Sequence, residues 1–292
     1  MISVSVLGLG VMGGGIARRL LDRDVPLTVW NRSAGPARAL AELGATVART
    51  PAQAARHADV ILVSLADGAA TEQVLLGPDG VLADGPADGV LASASTISPD
   101  LLRVLRRRTP SVIDLGLLGN GTHARNGELR VYVGGGREDL ARARPVVDII
   151  AKQVLYVGGL GDGMRLKLLM NSLMGIQVQA MAEAAALGES VGLDRRVVLD
   201  AITASGFATP VMGFKARRLA VDHYEQPDFR LRLMAKDLGL AAAEADRSGL
   251  RLPLVRTALA THQESVRHGD GDLDCAAVAR VASSRGAKGG RP

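Results

Sequence analysis

The sequence predicts an α/β N-terminal domain built on a mostly parallel sheet, then one long connecting helix and an all-α C-terminal domain. Up to about residue 158, short β-branched runs alternate with alanine-rich helical patterns, which is typical of a parallel sheet covered by helices. Strand signals end after Gly163, and the pattern is then helical to about residue 280. A chain of 292 residues also exceeds what one hydrophobic core usually serves. We therefore expect two domains, 1–160 and 161–282, followed by a disordered tail over 283–292.

Seven short apolar runs predict the strands of the N-terminal domain. Most of them are expected to be parallel because helical patterns separate them. The segment between Leu129 and Gly136 is expected to run antiparallel near the sheet edge, since Gly127-Glu128 offers a hairpin-like turn. The predicted strands are Val4–Leu7, Leu27–Trp30, Val60–Ser64, Gly89–Ala92, Val112–Asp114, Leu129–Val133 and Val154–Val157.

The connecting helix, residues 161–191, is apolar nearly all round rather than amphipathic. A helix of that kind is buried between layers or between subunits. We therefore expect a homodimer or homotetramer, with burial inside a single chain as the alternative. Beyond this helix, breaks in the helical pattern are expected at Gly192-Leu193-Asp194, Ser205-Gly206, Gln226-Pro227 and Gly249 to Pro253.

An apolar strand at the N-terminus runs directly into a glycine-rich turn. The turn reads Gly8-Leu9-Gly10-Val11-Met12-Gly13, and a helical pattern and a second strand follow it. Glycines at the first two positions permit a tight turn and the close approach of a pyrophosphate, and the third lets the helix pack against the strand. The helix N-terminus then favours the phosphate charge. These features predict a Rossmann-like domain that binds a nicotinamide dinucleotide.

The residues after the second strand favour NADPH over NADH. An acidic side chain there would bind the ribose hydroxyls and repel a 2′-phosphate. This chain instead has Asn31, Arg32 and Ser33, which offer a guanidinium fork and a hydroxyl to a phosphate dianion. The alternative is that Arg32 is a solvated loop residue and Ser33 an N-cap of the next helix.

Composition disfavours a nucleic-acid partner. The net charge of +5 comes from 35 basic and 30 acidic residues, with the arginines spread at helical spacing among acids, as on solvated helix faces. With three Tyr, three Phe and one Trp, the chain also lacks the aromatic platforms on which single-stranded nucleic acids stack.

Several other classes are disfavoured as well. One cysteine, Cys275, excludes an internal disulfide and a cysteine-rich metal site, and the histidines lack metal-ligand spacing, so no metal is expected. The N-terminal apolar run has no basic segment before it and belongs to the dinucleotide motif, so it is not read as a signal peptide. The stretch from Leu166 to Leu187 is too polar for a membrane span. We expect a cytoplasmic protein without a membrane partner.

Lys167 and Asn171 lie four residues apart in the apolar connecting helix and therefore on one face. An ammonium in apolar surroundings is costly unless it is used or paired. Reduction of a carbonyl needs a proton donor at oxygen, which Lys167 can supply, with Asn171 holding the oxygen or the lysine in line. The alternative is a lysine whose stem is buried and whose ammonium reaches water.

Four motifs, in order along the chain, resemble the β-hydroxyacid dehydrogenases, the family of 3-hydroxyisobutyrate dehydrogenase and glyoxylate reductase. The resemblance extends from Val4 to about Ala279. The motifs are Gly8 to Gly13 with Ala17, Ser95-Thr96-Ile97-Ser98-Pro99, Gly158 to Asn171, and Met234-Ala235-Lys236-Asp237-Leu238-Gly239-Leu240.

The resemblance implies roles for individual residues. It implies that Lys167 is the catalytic acid/base and that Asn171 orients the substrate. It places Ser64, Leu65 and Ala66 in the loop beside the cofactor ribose. Ser95 and Thr96 are expected beside the nicotinamide, and Lys236 and Asp237 are expected to close the cleft between the two domains, so that Thr96 and Lys236 contact cofactor while Ser95 and Asp237 contact substrate.

One motif departs from the family pattern Asp-Ala-Pro-Val-Ser-Gly-Gly, because the chain reads Asp114-Leu115-Gly116-Leu117-Leu118-Gly119-Asn120. In the family this loop supplies a hydroxyl and backbone donors to the substrate carboxylate. Leu118 replaces the serine and Asn120 the last glycine, so carboxylate binding by Leu118, Gly119 and Asn120 is weakened or rebuilt. His123 is either a cationic contact for the substrate or a structural loop residue.

The sequence leads to three functional hypotheses. The preferred one is an NADPH-dependent reductase of a small carbonyl or β-hydroxy acid, with Lys167 as general acid/base. The second is an imine reductase, which the altered loop and the run Val29 to Ser33 favour and the retained Lys167 disfavours. The third is a protein that binds NADPH without turnover.

Overall fold

The computed structural model describes residues 2–287 and divides into two compact units between Lys167 and Leu168. The boundary lies seven residues beyond the one expected after residue 160. The reason is local, because the first turn of the connecting helix packs on strands of the N-terminal sheet.

The N-terminal unit is built on an eight-stranded sheet with the order β3-β2-β1-β4-β5-β6-β7-β8. Strands β1 to β6 run parallel to one another, β7 is antiparallel to β6, and β8 is parallel to β7. The strands are β1 Val4–Leu7, β2 Leu27–Trp30, β3 Thr46–Val47, β4 Val60–Val63, β5 Val90–Ser93, β6 Val112–Leu118, β7 Leu129–Gly135 and β8 Ala151–Gly158.

Helices cover both faces of this sheet. Alternate strand residues point to opposite faces, so each face has its own core of Val, Leu, Ile and Ala. Four helices pack on one face: α1 Val11–Leu21, α2 Ala34–Ala41, α6 Gly121–Asn126 and α7 Arg137–Ile150. Three pack on the other: α3 Pro51–Ala55, α4 Gly68–Leu76 and α5 Pro99–Arg108.

Most of the predicted sheet is confirmed, with three differences. The two-residue strand β3 was missed because it lacks an apolar run, and β6, β7 and β8 are longer than expected. The antiparallel β6–β7 pair is confirmed, but Gly127 does not form a hairpin turn. Helix α6 connects the two strands instead, and Gly127 ends it in the left-handed region at φ 72°.

The C-terminal unit is helical. Helix α8, Asp162–Ser190, begins in the first unit and continues into the second, close to the predicted 161–191. The expected breaks all separate helices. The remaining helices are α9 Arg195–Ala204, α10 Pro210–Val221, α11 Leu231–Arg247, α12 Pro253–Arg267 and α13 Ala279–Ala287, with two short 3₁₀ helices at Asp270–Asp272 and Cys275–Val278.

Two apolar cores hold this unit together, one around Leu219 and Tyr224 and one around Met234 and Leu238. The backbone of α13 extends to Ala287, over residues 283–287 at the start of the expected tail. The rest of the expected tail, 288–292, lies outside the described residues. Within residues 2–287, no helix is long and apolar enough to cross a bilayer.

Candidate active site

The glycine turn follows β1 at the edge of the sheet where the parallel strands end. Gly8 has φ +93°, and a side chain there would overlap the carbonyl of Ser64. A side chain at Gly13 would overlap the Gly8 carbonyl. Gly10 is different, because a Cβ there meets no described protein atom within 4 Å. Packing within the protein therefore explains Gly8 and Gly13, whereas Gly10 leaves open space above the turn.

Asn31 fastens the glycine turn to the loop after β2. Its Oδ1 accepts a hydrogen bond from Leu9 N at 2.9 Å, and its Nδ2 donates to the Ser33 hydroxyl at 2.9 Å. Ser33 occupies the N-cap position of α2, but its hydroxyl does not cap the helix. Arg32 is exposed. The structure thus gives Asn31 a specific task, namely to link the two loops and orient Ser33.

The loop after β4 rests on Ser95. The Ser95 hydroxyl accepts a hydrogen bond from Leu65 N at 2.8 Å and donates to Val63 O at 3.3 Å. Ser95 is 1% exposed, so both functions of its hydroxyl are used inside the protein. These hydrogen bonds position the Ser64–Ala66 loop, and the expected contact of Ser95 with substrate stays a prediction. Thr96 is also buried.

The loop after β6 carries the departure from the family pattern. Leu118 is partly buried, and Gly119 has φ +134°, with no room for a side chain against Leu129 and His123. Asn120 is the N-cap of α6, since its Oδ1 accepts from His123 N at 3.1 Å and the His123 ring pairs back with Asn120 N. His123 therefore has a structural role in this loop, and the Asn120 oxygen is used by the cap.

Lys167 lies in the first part of α8, partly buried, beside the end of β6. Its Nζ donates a hydrogen bond to Leu117 O at 2.9 Å. An ammonium carries three N–H donors, and this bond directs one of them at a backbone carbonyl of the strand. The Lys167 ammonium therefore lies at the carboxyl end of the parallel sheet, the edge at which the glycine turn also lies.

Within the second unit, α8 and α11 carry a buried polar pair. Asn171 is 7% exposed, and its Nδ2 donates to Oδ2 of Asp237 at 2.6 Å. Asp237 is 2% exposed, and its Oδ1 lies 3.2 Å from Nζ of Lys236. The Asp237 carboxylate therefore orients the Asn171 amide, and the expected contact of Asp237 with substrate stays a prediction.

Asp114 is a residue whose role the sequence did not indicate. It is fully buried in β6, and its carboxylate accepts hydrogen bonds from Gly161 N and Met164 N, both at 2.6 Å. Burial raises the pKa of Asp114 to about 6. The feature of the sequence that could have indicated this role is an aspartate within an otherwise apolar strand.

The residues of the glycine turn fit a dinucleotide. The open space at Gly10 lies at the N-terminus of α1, and the first turn of α1 contains no acidic side chain. Backbone N–H groups at such a position favour a pyrophosphate. In the described part of the chain, no three His, Cys, Asp or Glu side chains come together as a metal site would require.

Two known protein families match this chain, one over its N-terminal part and one over its C-terminal part. Residues 3–158 match the family described as the NAD binding domain of 6-phosphogluconate dehydrogenase. Residues 161–282 match the family described as NAD-binding of NADP-dependent 3-hydroxyisobutyrate dehydrogenase. The chain is 32% identical to the 3-hydroxyisobutyrate dehydrogenase of Pseudomonas aeruginosa, over 96% of this chain and 98% of that protein.

Solved structures agree with this assignment. The 3-hydroxyisobutyrate dehydrogenase of Mycobacterium tuberculosis, determined with L-serine, matches with a TM-score of 0.83 at 27% identity, over 96% of this chain and 98% of that one. An imine reductase from Pseudomonas sp. matches with a TM-score of 0.63 at 22% identity, over 96% and 99% of the two chains, which is a likeness of fold alone. The chain therefore belongs to the β-hydroxyacid dehydrogenase family.

Proposed function

We propose that the protein is an NADPH-dependent reductase of a small carbonyl compound of the β-hydroxy acid type, with Lys167 as general acid/base. The observation that carries the proposal is the Lys167 ammonium, which donates to Leu117 O at the sheet edge that also bears the glycine turn. A partly buried ammonium at this edge supplies both a positive charge and a proton for a developing alkoxide.

Lys167 and Asn171 have separate roles in the proposed reaction. When bound, the nicotinamide cofactor supplies the hydride for the carbonyl carbon. Lys167 donates a proton to the carbonyl oxygen and is left as a neutral amine, which regains its proton from solvent. Asn171 donates from its Nδ2 to Asp237, so its amide oxygen is the atom that accepts a hydrogen bond from a substrate hydroxyl. In the oxidative direction Lys167 must begin as the neutral amine.

The preference for NADPH rests on Arg32 and Ser33. Asn31 already orients the Ser33 hydroxyl, and Arg32 next to it is exposed and can form a charge-assisted pair with a 2′-phosphate. The family match to an NADP-dependent dehydrogenase supports the same preference. Val11 and Met12 of α1, the loop Ser64 to Ala66, Thr96 and Lys236 complete the proposed set of cofactor contacts.

The substrate contacts are proposed to be Leu118, Gly119 and Asn120 together with Lys167 and Asn171. Because the cap uses the Asn120 oxygen, the nitrogen of its side chain is the donor that replaces the family serine. Leu118 adds an apolar wall. With one amide donor and an apolar side chain, this loop favours a small carbonyl compound that carries few carboxylates over a dicarboxylate.

An imine reductase is the second candidate, and the observation that favours it is the partly buried Leu118 in place of a hydroxyl. Lys167 weighs against it. The experiment that separates the candidates follows NADPH and NADH absorbance with matched panels of aldehydes, hydroxy acids and cyclic imines. Turnover of aldehydes or hydroxy acids supports the proposal, turnover of imines alone supports the second candidate, and binding of NADPH without any turnover identifies a cofactor-binding protein.

A homodimer or homotetramer is proposed from the surface of the second unit. Large apolar side chains on α8 and after it are exposed, including Leu173 at 55% and Leu187 at 66%. Leu169, Leu173, Ala180 and Leu187 fall at spacings of four and seven residues along α8, which aligns them on one side of the helix. An apolar stripe of this length favours association with a second copy.

A further inference from the structure

A wholly buried carboxylate joins strand β6 to the start of the helix that carries Lys167. Asp114 is 0% exposed, and its two oxygens accept hydrogen bonds from Gly161 N and Met164 N, each at 2.6 Å. N–H groups at the beginning of a helix have no carbonyl partner within that helix. Asp114 therefore supplies acceptors that the first turn of α8 needs and, at the same time, fixes that turn to β6.

Glycines make this junction tight. A side chain at Gly134 or at Gly163 would overlap the Asp114 carboxylate or the backbone beside it. A Cβ at Gly116 would lie 2.5 Å from Gly163 O and 3.0 Å from the Cβ of Lys167. Strands β6 and β7 and the first turn of α8 thus meet at backbone distance, and the turn has little freedom to shift without breaking the Asp114 hydrogen bonds.

A second connection between the same two elements involves Lys167 itself. Its Nζ donates to Leu117 O at 2.9 Å. Leu117 follows Asp114 by three residues on the strand, and Lys167 follows Met164 by three residues on the helix. The same stretch of strand therefore holds the helix backbone at one end and the lysine ammonium at the other.

We propose that Asp114 is a positioning residue for Lys167, holding the first turn of α8 so that the ammonium stays against the Leu117 carbonyl. The proposal deepens the proposed function and rests on it in one respect, that Lys167 donates the proton. Asp114 itself does not touch substrate or cofactor in this account.

The protonation state of Asp114 bears on this role. The pKa of Asp114 is raised to about 6, because burial and, to a lesser extent, Asp162 at the start of α8 raise it by more than the hydrogen bonds from Gly161 and Met164 lower it. Asp162 is paired with Arg165, and Lys167 is the next basic residue along α8. The residues in register with Asp114 on β5 and β7, Ser93 and Gly134, do not titrate. A protonated Asp114 has one full acceptor fewer, so its hold on α8 weakens as the pH falls through about 6.

The test compares Asp114→Asn with Asp59→Asn. The asparagine keeps the shape but turns an N–H group toward one of the two backbone donors. Asp59 is a matched control because its carboxylate also accepts a backbone hydrogen bond, from Ser3 N at 2.8 Å, elsewhere in the same unit. The readouts are kcat for NADPH-dependent reduction and the rate of Lys167 acetylation by an N-hydroxysuccinimide ester, relative to exposed Lys152, measured by peptide mass spectrometry.

In Asp114→Asn we expect kcat to fall by about tenfold and the acetylation ratio to rise by at least about threefold, as loss of a hydrogen bond to a charged group predicts. Asp59→Asn should change neither. An unchanged acetylation ratio in a folded Asp114→Asn would overturn the proposal. This readout needs no turnover, so a wild-type protein without activity defeats the proposed function and leaves the positioning claim to be decided by acetylation.

If Asp114→Asn does not fold, the wild-type protein provides the second measurement. The ratio of Lys167 to Lys152 acetylation should rise as the pH is lowered from about 7.5 to about 5.5, across the pKa of Asp114. A ratio that stays constant over this range in the folded protein contradicts the proposal.

Discussion

Asn171 and Asp237 form a buried pair in which the amide nitrogen of Asn171 donates to the carboxylate at 2.6 Å. This hydrogen bond fixes the orientation of the Asn171 amide: its nitrogen binds Asp237, and its oxygen is the atom proposed to bind a ligand. In Asp237→Ala we expect kcat to fall by about tenfold or more, because a hydrogen bond to a charged group is lost and the Asn171 amide is free to rotate. Steady-state kinetics with NADPH provide the measurement.

Asp237→Asn is the conservative control for this prediction. Its amide oxygen can still accept from Asn171, so most of the activity should return. Full activity in Asp237→Ala would show that the orientation of Asn171 does not matter for the reaction.

Arg32 is expected to select the phosphorylated cofactor. Arg32→Ala should raise the Kd for NADPH by about 10-fold to 100-fold, the loss expected for charge-assisted hydrogen bonds, and leave the Kd for NADH unchanged. Fluorescence titration with each cofactor measures both constants. Arg38→Ala, a basic residue in the last turn of α2, is the matched control.

Asn31→Ala should behave differently from Arg32→Ala. It removes the hydrogen bond to Leu9 N and thereby loosens the glycine turn, so NADPH and NADH should both bind more weakly. Equal effects of Arg32→Ala on the two cofactors would refute the assignment of Arg32 to the 2′-phosphate.

Much of the fold could be predicted because its signals are local. The alternation of β-branched runs with helical patterns located seven of the eight strands, and Gly, Pro and Asp residues marked the helix breaks. The two-residue strand β3 and helix α6 gave weak signals, since Thr46–Val47 is too short for a periodic pattern and α6 lies where Gly127 resembled a turn.

The candidate site was harder to predict because burial and hydrogen bonds are not local. The sequence did not reveal that Ser95 holds the loop after β4 or that Asp237 orients Asn171, because both hydrogen bonds join residues far apart along the chain. The role of Asp114 depends on Gly161 and Met164, about fifty residues away along the chain, and no pattern around Asp114 reveals that pairing.

Association should depend on the apolar stripe of α8. The double variant Leu173→Glu with Leu187→Glu is expected to be monomeric by sedimentation velocity, because two carboxylates would have to be buried in the interface. Leu43→Glu, at a side chain 50% exposed in the first unit, is the control that should keep the wild-type mass. A monomeric wild-type protein would contradict the proposed assembly.

His262 should make stability depend on pH. Burial lowers its pKa from 6.5 to about 4, and its Nδ1 lies 2.8 Å from the Ala258 carbonyl. Between these values the unfolded chain binds a proton that the folded chain does not, so the free energy of unfolding falls as the pH drops from about 6.5 toward 4, by about 3 kcal/mol.

The measurement is urea unfolding at about pH 7 and about pH 5, on either side of most of this change. His262→Gln should remove the loss, whereas exposed His268→Gln should not. Asp114 has the opposite effect on stability. Because its pKa is raised in the folded protein, its contribution to the free energy of unfolding falls as the pH rises from about 4 to about 6. An unchanged pH dependence in His262→Gln would rule out a neutral, buried His262.

The role of Lys167 is tested most directly by the kcat of Lys167→Met for NADPH-dependent reduction, measured with the NADPH Kd of the same variant. Methionine keeps an unbranched apolar stem and removes the ammonium. We predict a fall in kcat of about 10² to 10⁴, the range of general acid catalysis, with NADPH affinity unchanged. A kcat close to that of the wild type, with NADPH still bound, would contradict the account.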